Sequence, residues 1–201
     1  MKYLLFISAA LLFKQSHAQI TKNNWLVGGS GVFSSITYNS GAGGGGQRIT
    51  NIQLSPNIGY FFVDKFTTGL RTSIGITRSK ILNTPYYNLG KGITYGGGPF
   101  LRYYFLPTGS PFNILIDGNY QYSISKGGGI STSTPEPVDV PLTKYEMNTF
   151  SVAAGPVLYF NSSVGLEFLI GYSTTKYLHY EGRNNTIQAG IGLQVHLEKD
   201  K

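Results

Sequence analysis

In residues 186–197 the odd positions from Ile187 carry Ile187, Ala189, Ile191, Leu193, Val195 and Leu197, and the even ones Gln188, Gly190, Gly192, Gln194 and His196. A period of two over that length predicts a strand with one apolar face. The same alternation recurs in residues 50–62, 67–77, 93–105, 112–124, 148–160 and 163–174. Typical apolar rows are Ile52, Leu54, Ile58 and Tyr60, or Leu166, Phe168, Ile170 and Tyr172. An eighth segment, residues 24–36, is glycine-rich, and Trp25, Val27 and Phe33 compete with Leu26, Val32 and Ile36 for its apolar face. An even number of strands closes an antiparallel barrel with no edge left unpaired. The pattern therefore predicts an all-β fold, an eight-stranded antiparallel up-and-down barrel.

The connections sort by length. Residues 63–65, 106–111 and 161–162 are short turns, whereas 37–48, 78–91, 125–146 and 175–185 read as long loops. Short turns at one end and long loops at the other are the arrangement of transmembrane β-barrels. Aromatics gather beside the short turns (Tyr60, Phe61, Phe62, Phe66, Tyr103, Tyr104, Phe105, Phe112, Tyr159, Phe160) and toward the loops (Tyr95, Tyr120, Tyr122, Tyr172, Tyr177), as two interfacial girdles would.

Composition decides what the apolar face meets. Charged residues are 12% of the chain, against about 25% in a soluble domain. A soluble barrel of the lipocalin kind is the rival reading, but it needs a charged outer surface that this chain has too few residues to supply. No run of 18 apolar residues follows the N-terminal segment, so helical spans are excluded. The apolar faces are expected to meet lipid and the polar ones the barrel interior.

The N-terminus, MKYLLFISAALLFKQSHAQ, has Lys2, an apolar run ended by Lys14, and Ser16 and Ala18 before Gln19. It reads as a signal peptide over 1–18 ahead of a barrel domain over 19–201. Export with cleavage before Gln19 is expected, and N-terminal sequencing of the membrane form checks it; a retained Met1 would contradict export. The chain has no cysteine, so neither disulfides nor thiolate metal sites hold it.

On LSPNIGYFFVDKFTTGLRTSIG (54–75) and GGGPFLRYYF (96–105) the chain resembles the OmpA-like outer-membrane β-barrel family, also described as porin-family or outer membrane protein β-barrel domains. The resemblance implies the outer membrane of a Gram-negative bacterium, insertion by the barrel-assembly machinery and a polar plug inside the barrel. One departure is the ending Glu198-Lys199-Asp200-Lys201, where such barrels usually finish on an aromatic residue.

Four charges fall well inside the strands, Arg71, Arg102, Asp117 and Glu167, all on the inward parity and summing to zero. They are expected to form an interior ion-pair network at one depth, with Gln53, Asn57, Asn119, Gln121, Gln188 and Gln194 as interior polar groups. A narrow pore for ions or small solutes is the alternative. A lipid-modifying enzyme is a weaker one, since His179 has only Ser173 and Glu181 near it in sequence. No catalytic residue, metal site or cofactor is expected, because GAGGGG (41–46) lacks the Lys-Ser/Thr of a phosphate-binding loop and TSTPEPVDVP (132–141) reads as a surface segment.

The loop charges include Arg48, Arg78, Lys80, Lys91, Lys126, Lys144, Lys176 and Arg183. Outer membrane lipids and lipopolysaccharide are the expected partners of these basic loops, with an extracellular ligand as the sharper alternative. Nucleic acid is not expected, since the basic residues are scattered over four loops. The function read from the sequence is a non-enzymatic structural or surface-interaction barrel.

Overall fold

The computed structural model describes residues 20–38, 46–82, 88–131, 138–179 and 181–197. The expected signal peptide, residues 41–45 of the glycine run, residues 132–137 and the four C-terminal residues lie outside them. The described residues form eight strands: β1 (Trp25–Tyr38), β2 (Gly46–Val63), β3 (Phe66–Leu82), β4 (Asn88–Tyr104), β5 (Phe112–Ser131), β6 (Val138–Tyr159), β7 (Val164–Tyr177) and β8 (Arg183–Leu197). Each pairs antiparallel with the next, and β8 returns to β1 to close an up-and-down barrel. Among the described residues there is no helix long and apolar enough to cross a membrane.

Alternation sets which face each residue takes. Along β7, Gly165, Glu167 and Ser173 are buried inside while Phe168, Ile170 and Tyr172 are exposed outside, Ile170 at 69%. Ile52, Leu70, Ile93, Leu101 and Ile187 are likewise exposed, Ile187 at 79%, whereas Asn57, Arg71, Gln121 and Gln194 are buried. The molecule is apolar outside and polar within. In β1 the even positions face inward: Leu26 is buried, and Trp25, Val27 and Phe33 are exposed outside.

The strands run beyond the alternating segments. β3 continues to Leu82, β5 to Ser131, and β6 begins at Val138, so much of what the sequence presents as long loop is paired backbone. These extensions mix polar residues and glycine with scattered apolar ones such as Ile81, Ile130 and Leu142. They lose the period-two signal because both faces can meet water, yet their backbone hydrogen bonds still need partners.

Closure is uneven. β1 and β8 pair only from Trp25 with Leu197 to Gly31 with Ile191, although β1 stays paired to β2 as far as Tyr38 with Gln47 and β8 to β7 as far as Lys176 with Arg183. The expectation that no edge is left unpaired thus holds only in the lower part of this seam. The freed edges run over residues 32–38 of β1 and 183–190 of β8; they are polar at Ser34, Ser35, Thr37, Asn184, Asn185 and Thr186 and apolar at Phe33, Ile36 and Ile187.

Three prolines mark interruptions. Pairing skips Ser55 and Pro56 between β2 and β3, Gly98 and Pro99 between β4 and β5, and Gly155 and Pro156 between β6 and β7. Proline has no N–H to give to a ladder. At Pro99 and Pro156 the preceding glycine also brings the neighbour close: a Cβ on Gly155 would lie 1.9 Å from the Phe168 carbonyl oxygen. Gly155→Ala is therefore expected to cost about 1 to 3 kcal/mol, and Gly118→Ala, where a Cβ meets nothing within 4 Å, about 0.5 kcal/mol or less. Urea titration of the two refolded variants checks this, and equal costs would contradict it.

Candidate functional site

The short-turn end of the lumen is filled in two layers. The upper one is ionic. Arg71 on β3 donates through Nη1 and Nη2 to the two carboxylate oxygens of Asp117 on β5, at 2.7 and 2.8 Å. Arg102 on β4, directly opposite Asp117 in the register, donates through Nε to Asp117 Oδ2 at 2.9 Å. Its Nη1 crosses to Glu167 Oε1 on β7 at 2.7 Å and lies 3.4 Å from the Tyr104 hydroxyl. Gln194 on β8 donates to Glu167 Oε2 at 3.3 Å. A chain of charge-assisted bonds therefore runs from β3 through β4 and β5 to β7 and β8.

Phe100 lies beneath both cations, its ring centre 4.8 Å from the Arg71 guanidinium carbon and 5.8 Å from that of Arg102. Each guanidinium thus has a π-face to rest on besides its carboxylates. Arg102, Asp117 and Glu167 are all buried. Two cations and two anions leave no net charge in the layer, the condition under which ionised groups persist in a poorly hydrated site.

The lower layer is aromatic and apolar. Phe61, Tyr104 and Tyr159 pack around His196, with ring centres 5.7, 6.1 and 5.5 Å from the imidazole. Ile20, Leu26, Leu115 and Val157 are buried with them. Ile20 comes from the segment preceding β1 and is fixed there by its carbonyl, which accepts the Lys65 N–H at 2.8 Å. Phe61, Tyr104 and Tyr159 are thereby plug residues. Their place beside the short turns fits an interfacial girdle, but their parity turns them inward, and the outer aromatics at that end include Trp25, Tyr60, Phe62, Phe66, Tyr103, Phe105, Phe112 and Phe160.

Above the ionic layer the lumen widens into a cup of about 310 Å³, lined by hydroxyls and amides from all eight strands, with Arg71, Arg102 and Asp117 reaching its floor. Gln53, Asn119, Gln121 and Gln188 line this cup. Gln53 donates to the Ser55 hydroxyl at 3.3 Å. Asn57 sits opposite Arg71 in the register, buried, and its amide makes no hydrogen bond among the described residues. The structure thus joins the four charged residues and Gln194 in one network and places Gln53, Asn119, Gln121 and Gln188 above it. Leu115, Val157 and His196 share the inward parity of their strands, but nothing short of three-dimensional register brings them to one layer with Tyr159.

No catalytic grouping forms around His179. Its Nε2 lies 3.5 Å from Glu146 Oε2 on the outer surface, while Ser173 is buried in the lumen. Among the described residues no three His, Asp or Glu side chains cluster as a metal site.

No family model matches the chain, and no curated protein matches it in sequence. Solved structures similar in fold include the N-terminal β-barrel domain of Pseudomonas aeruginosa OprF (11% identity, covering 88% of this chain and 98% of that one, TM-score 0.40). Neisserial surface protein A, NspA, is 15% identical, with 87% and 97% covered and a TM-score of 0.45. The translocator domain of the autotransporter NalP from Neisseria meningitidis is 10% identical, with 98% and 94% covered and a TM-score of 0.38.

Proposed function

We propose that the chain is an integral outer-membrane barrel with a structural or surface-interaction role, and that it neither conducts ions nor catalyses a reaction. The observation that carries this reading is the inverted distribution of polarity. Exposed leucine, isoleucine and phenylalanine form a continuous outer band, and buried Arg, Asp, Glu and Gln fill the interior. In water that arrangement would expose hundreds of Å² of apolar patch and bury charges for no gain. In a bilayer it satisfies both faces, because most backbone groups of a closed barrel wall are paired within the wall. About 11 residues per strand at 3.3 Å each and a tilt near 45° span about 25 Å, the height of the apolar band.

The ionic layer and the aromatic layer lie in series across the lumen with their side chains buried, which supports a barrel that does not conduct. Planar-bilayer recordings on the refolded protein are expected to show a silent membrane. Steady, ion-selective channels would replace this reading with that of a narrow pore. Barrel insertion itself is read separately, from the outer-membrane fraction and from the faster gel migration of unheated sample.

A further inference from the structure

At the long-loop end the strand register brings cations face to face. Arg48 on β2 is opposite Lys80 on β3, and Arg78 on β3 is opposite Lys91 on β4. Lys126 on β5 is opposite Lys144 on β6, and Lys176 on β7 is opposite Arg183 on β8. Every described lysine and arginine of that half of the barrel belongs to one of these pairs. All eight are exposed, and each shares the parity of the apolar outer row on its strand: Arg48 with Ile52, Arg78 with Ile76, Lys91 with Ile93, Lys176 with Tyr172 and Arg183 with Ile187.

Like charges directly opposite one another, with Cβ atoms about 5 Å apart, oppose strand pairing. A surface needing only solubility would alternate signs. Here a carboxylate lies within ion-pair distance of one cation alone, Glu146 at 2.5 Å from Lys144, and the other seven have none among the described residues. The repeated pairing therefore calls for a counter-charge that the described residues do not supply.

Position identifies its kind. Each pair stands about 15 residues from the short turns of its strands, which at about 3.3 Å per residue and a 40° tilt is near 35 to 40 Å. That is just beyond the hydrocarbon and level with the headgroups of the leaflet at the long-loop end. The change is abrupt, since Ile76 and Ile93 are followed two positions outward by Arg78 and Lys91.

We propose that these four cross-strand pairs are clamps for the phosphate groups of a phosphorylated lipid in that leaflet. A phosphomonoester carries close to two negative charges and three acceptor oxygens, so one group can take a donor from both members of a pair. The proposal rests on the membrane reading above and deepens it, giving the basic half of the barrel a ligand class and named residues.

The test uses the full barrel refolded into phosphatidylcholine vesicles, with folding confirmed by its gel shift. Spin-labelled phosphatidic acid and spin-labelled phosphatidylcholine then report which lipid is held at the protein surface. Wild type is expected to favour phosphatidic acid by about fivefold or more, and to keep that preference with 10-fold more free inorganic phosphate than lipid phosphate in the buffer. A variant carrying Arg48→Gln, Lys80→Gln, Lys176→Gln and Arg183→Gln, which removes two of the four pairs, should lose about half of the preference. Lys22→Gln with Lys65→Gln, at the short-turn end, should keep it. No preference in a folded wild-type barrel would overturn the clamps and leave the membrane reading intact. Equal losses in both variants would also overturn them, as would a preference abolished by free phosphate. Failure to insert into any vesicle would overturn the membrane reading and the clamps together.

Discussion

Arg102→Ala is expected to lower the stability of the barrel by about 3 to 5 kcal/mol, the cost typical of stranding one member of a buried ion pair. Among the described residues Arg102 alone touches both carboxylates, at 2.9 Å to Asp117 and 2.7 Å to Glu167. Without it Asp117 keeps Arg71, but Glu167 keeps only the Gln194 amide. Arg71→Ala should cost less, because Asp117 retains Arg102 and the Arg71 site borders the water-accessible cup. The stranded charge is the cause in this account, so adding Glu167→Gln to Arg102→Ala should recover part of the loss, a coupling a double-mutant cycle isolates. Trp25 is the single tryptophan, exposed on the outer face near the short-turn rim. Its fluorescence in urea titrations of vesicle-refolded protein reports the stabilities of wild type, Arg71→Ala, Arg102→Ala, Glu167→Gln and the double variant. An Arg102→Ala variant as stable as wild type would show that the network does not hold the barrel.

Ile170→Arg is the second large effect, expected at about 2 to 4 kcal/mol. Ile170 points outward, 69% exposed, between Ala154 on β6 and Ala189 on β8. It lies about eight residues from the nearest short turn, which puts it close to the middle of the apolar band. An arginine there can neither pair nor reach water without thinning the bilayer. Ser173→Asn, three residues along the same strand, turns into the polar cup and should cost well under 1 kcal/mol. The same titrations compare the two, and equal costs would reject the assignment of faces.

The architecture was legible because a barrel wall in lipid is constrained on both faces, and that double constraint writes an unbroken alternation into residues such as those of β8. Parity alone also placed Arg71, Arg102, Asp117 and Glu167 inside. Where the constraint relaxes, the signal fades. The outer parts of β3, β5 and β6 have polar residues on both faces, so the sequence reads them as loops while their backbones remain paired. The first strand hid its inward face because Gly28, Gly29 and Gly31 carry no side chain to vote with.

Phe61, Tyr104 and Tyr159 show a different limit. Their parity matched that of Asn57, Arg102 and Ser151, but their nearness to the turns suggested a girdle, and here alternation is the stronger guide. The opposed cations show a third. Which residues face each other across strands depends on register, and register is fixed by turn geometry and by irregularities such as those between Phe61 and Val63 and between Gly127 and Gly129, none of which a single strand's pattern contains.

The central claim is that lipid meets the apolar face and the polar face is enclosed. A chain without cysteine allows it to be tested directly by placing a spin label at one position at a time over residues 168–173 of β7. Collision with oxygen, which dissolves in lipid, is measured against collision with a water-soluble nickel chelate in the vesicle-inserted protein. The expected result is high oxygen access at Phe168, Ile170 and Tyr172 and low oxygen access at Leu169, Gly171 and Ser173. Nickel access exceeding oxygen access at Phe168, Ile170 and Tyr172, or no alternation along the strand, would contradict it.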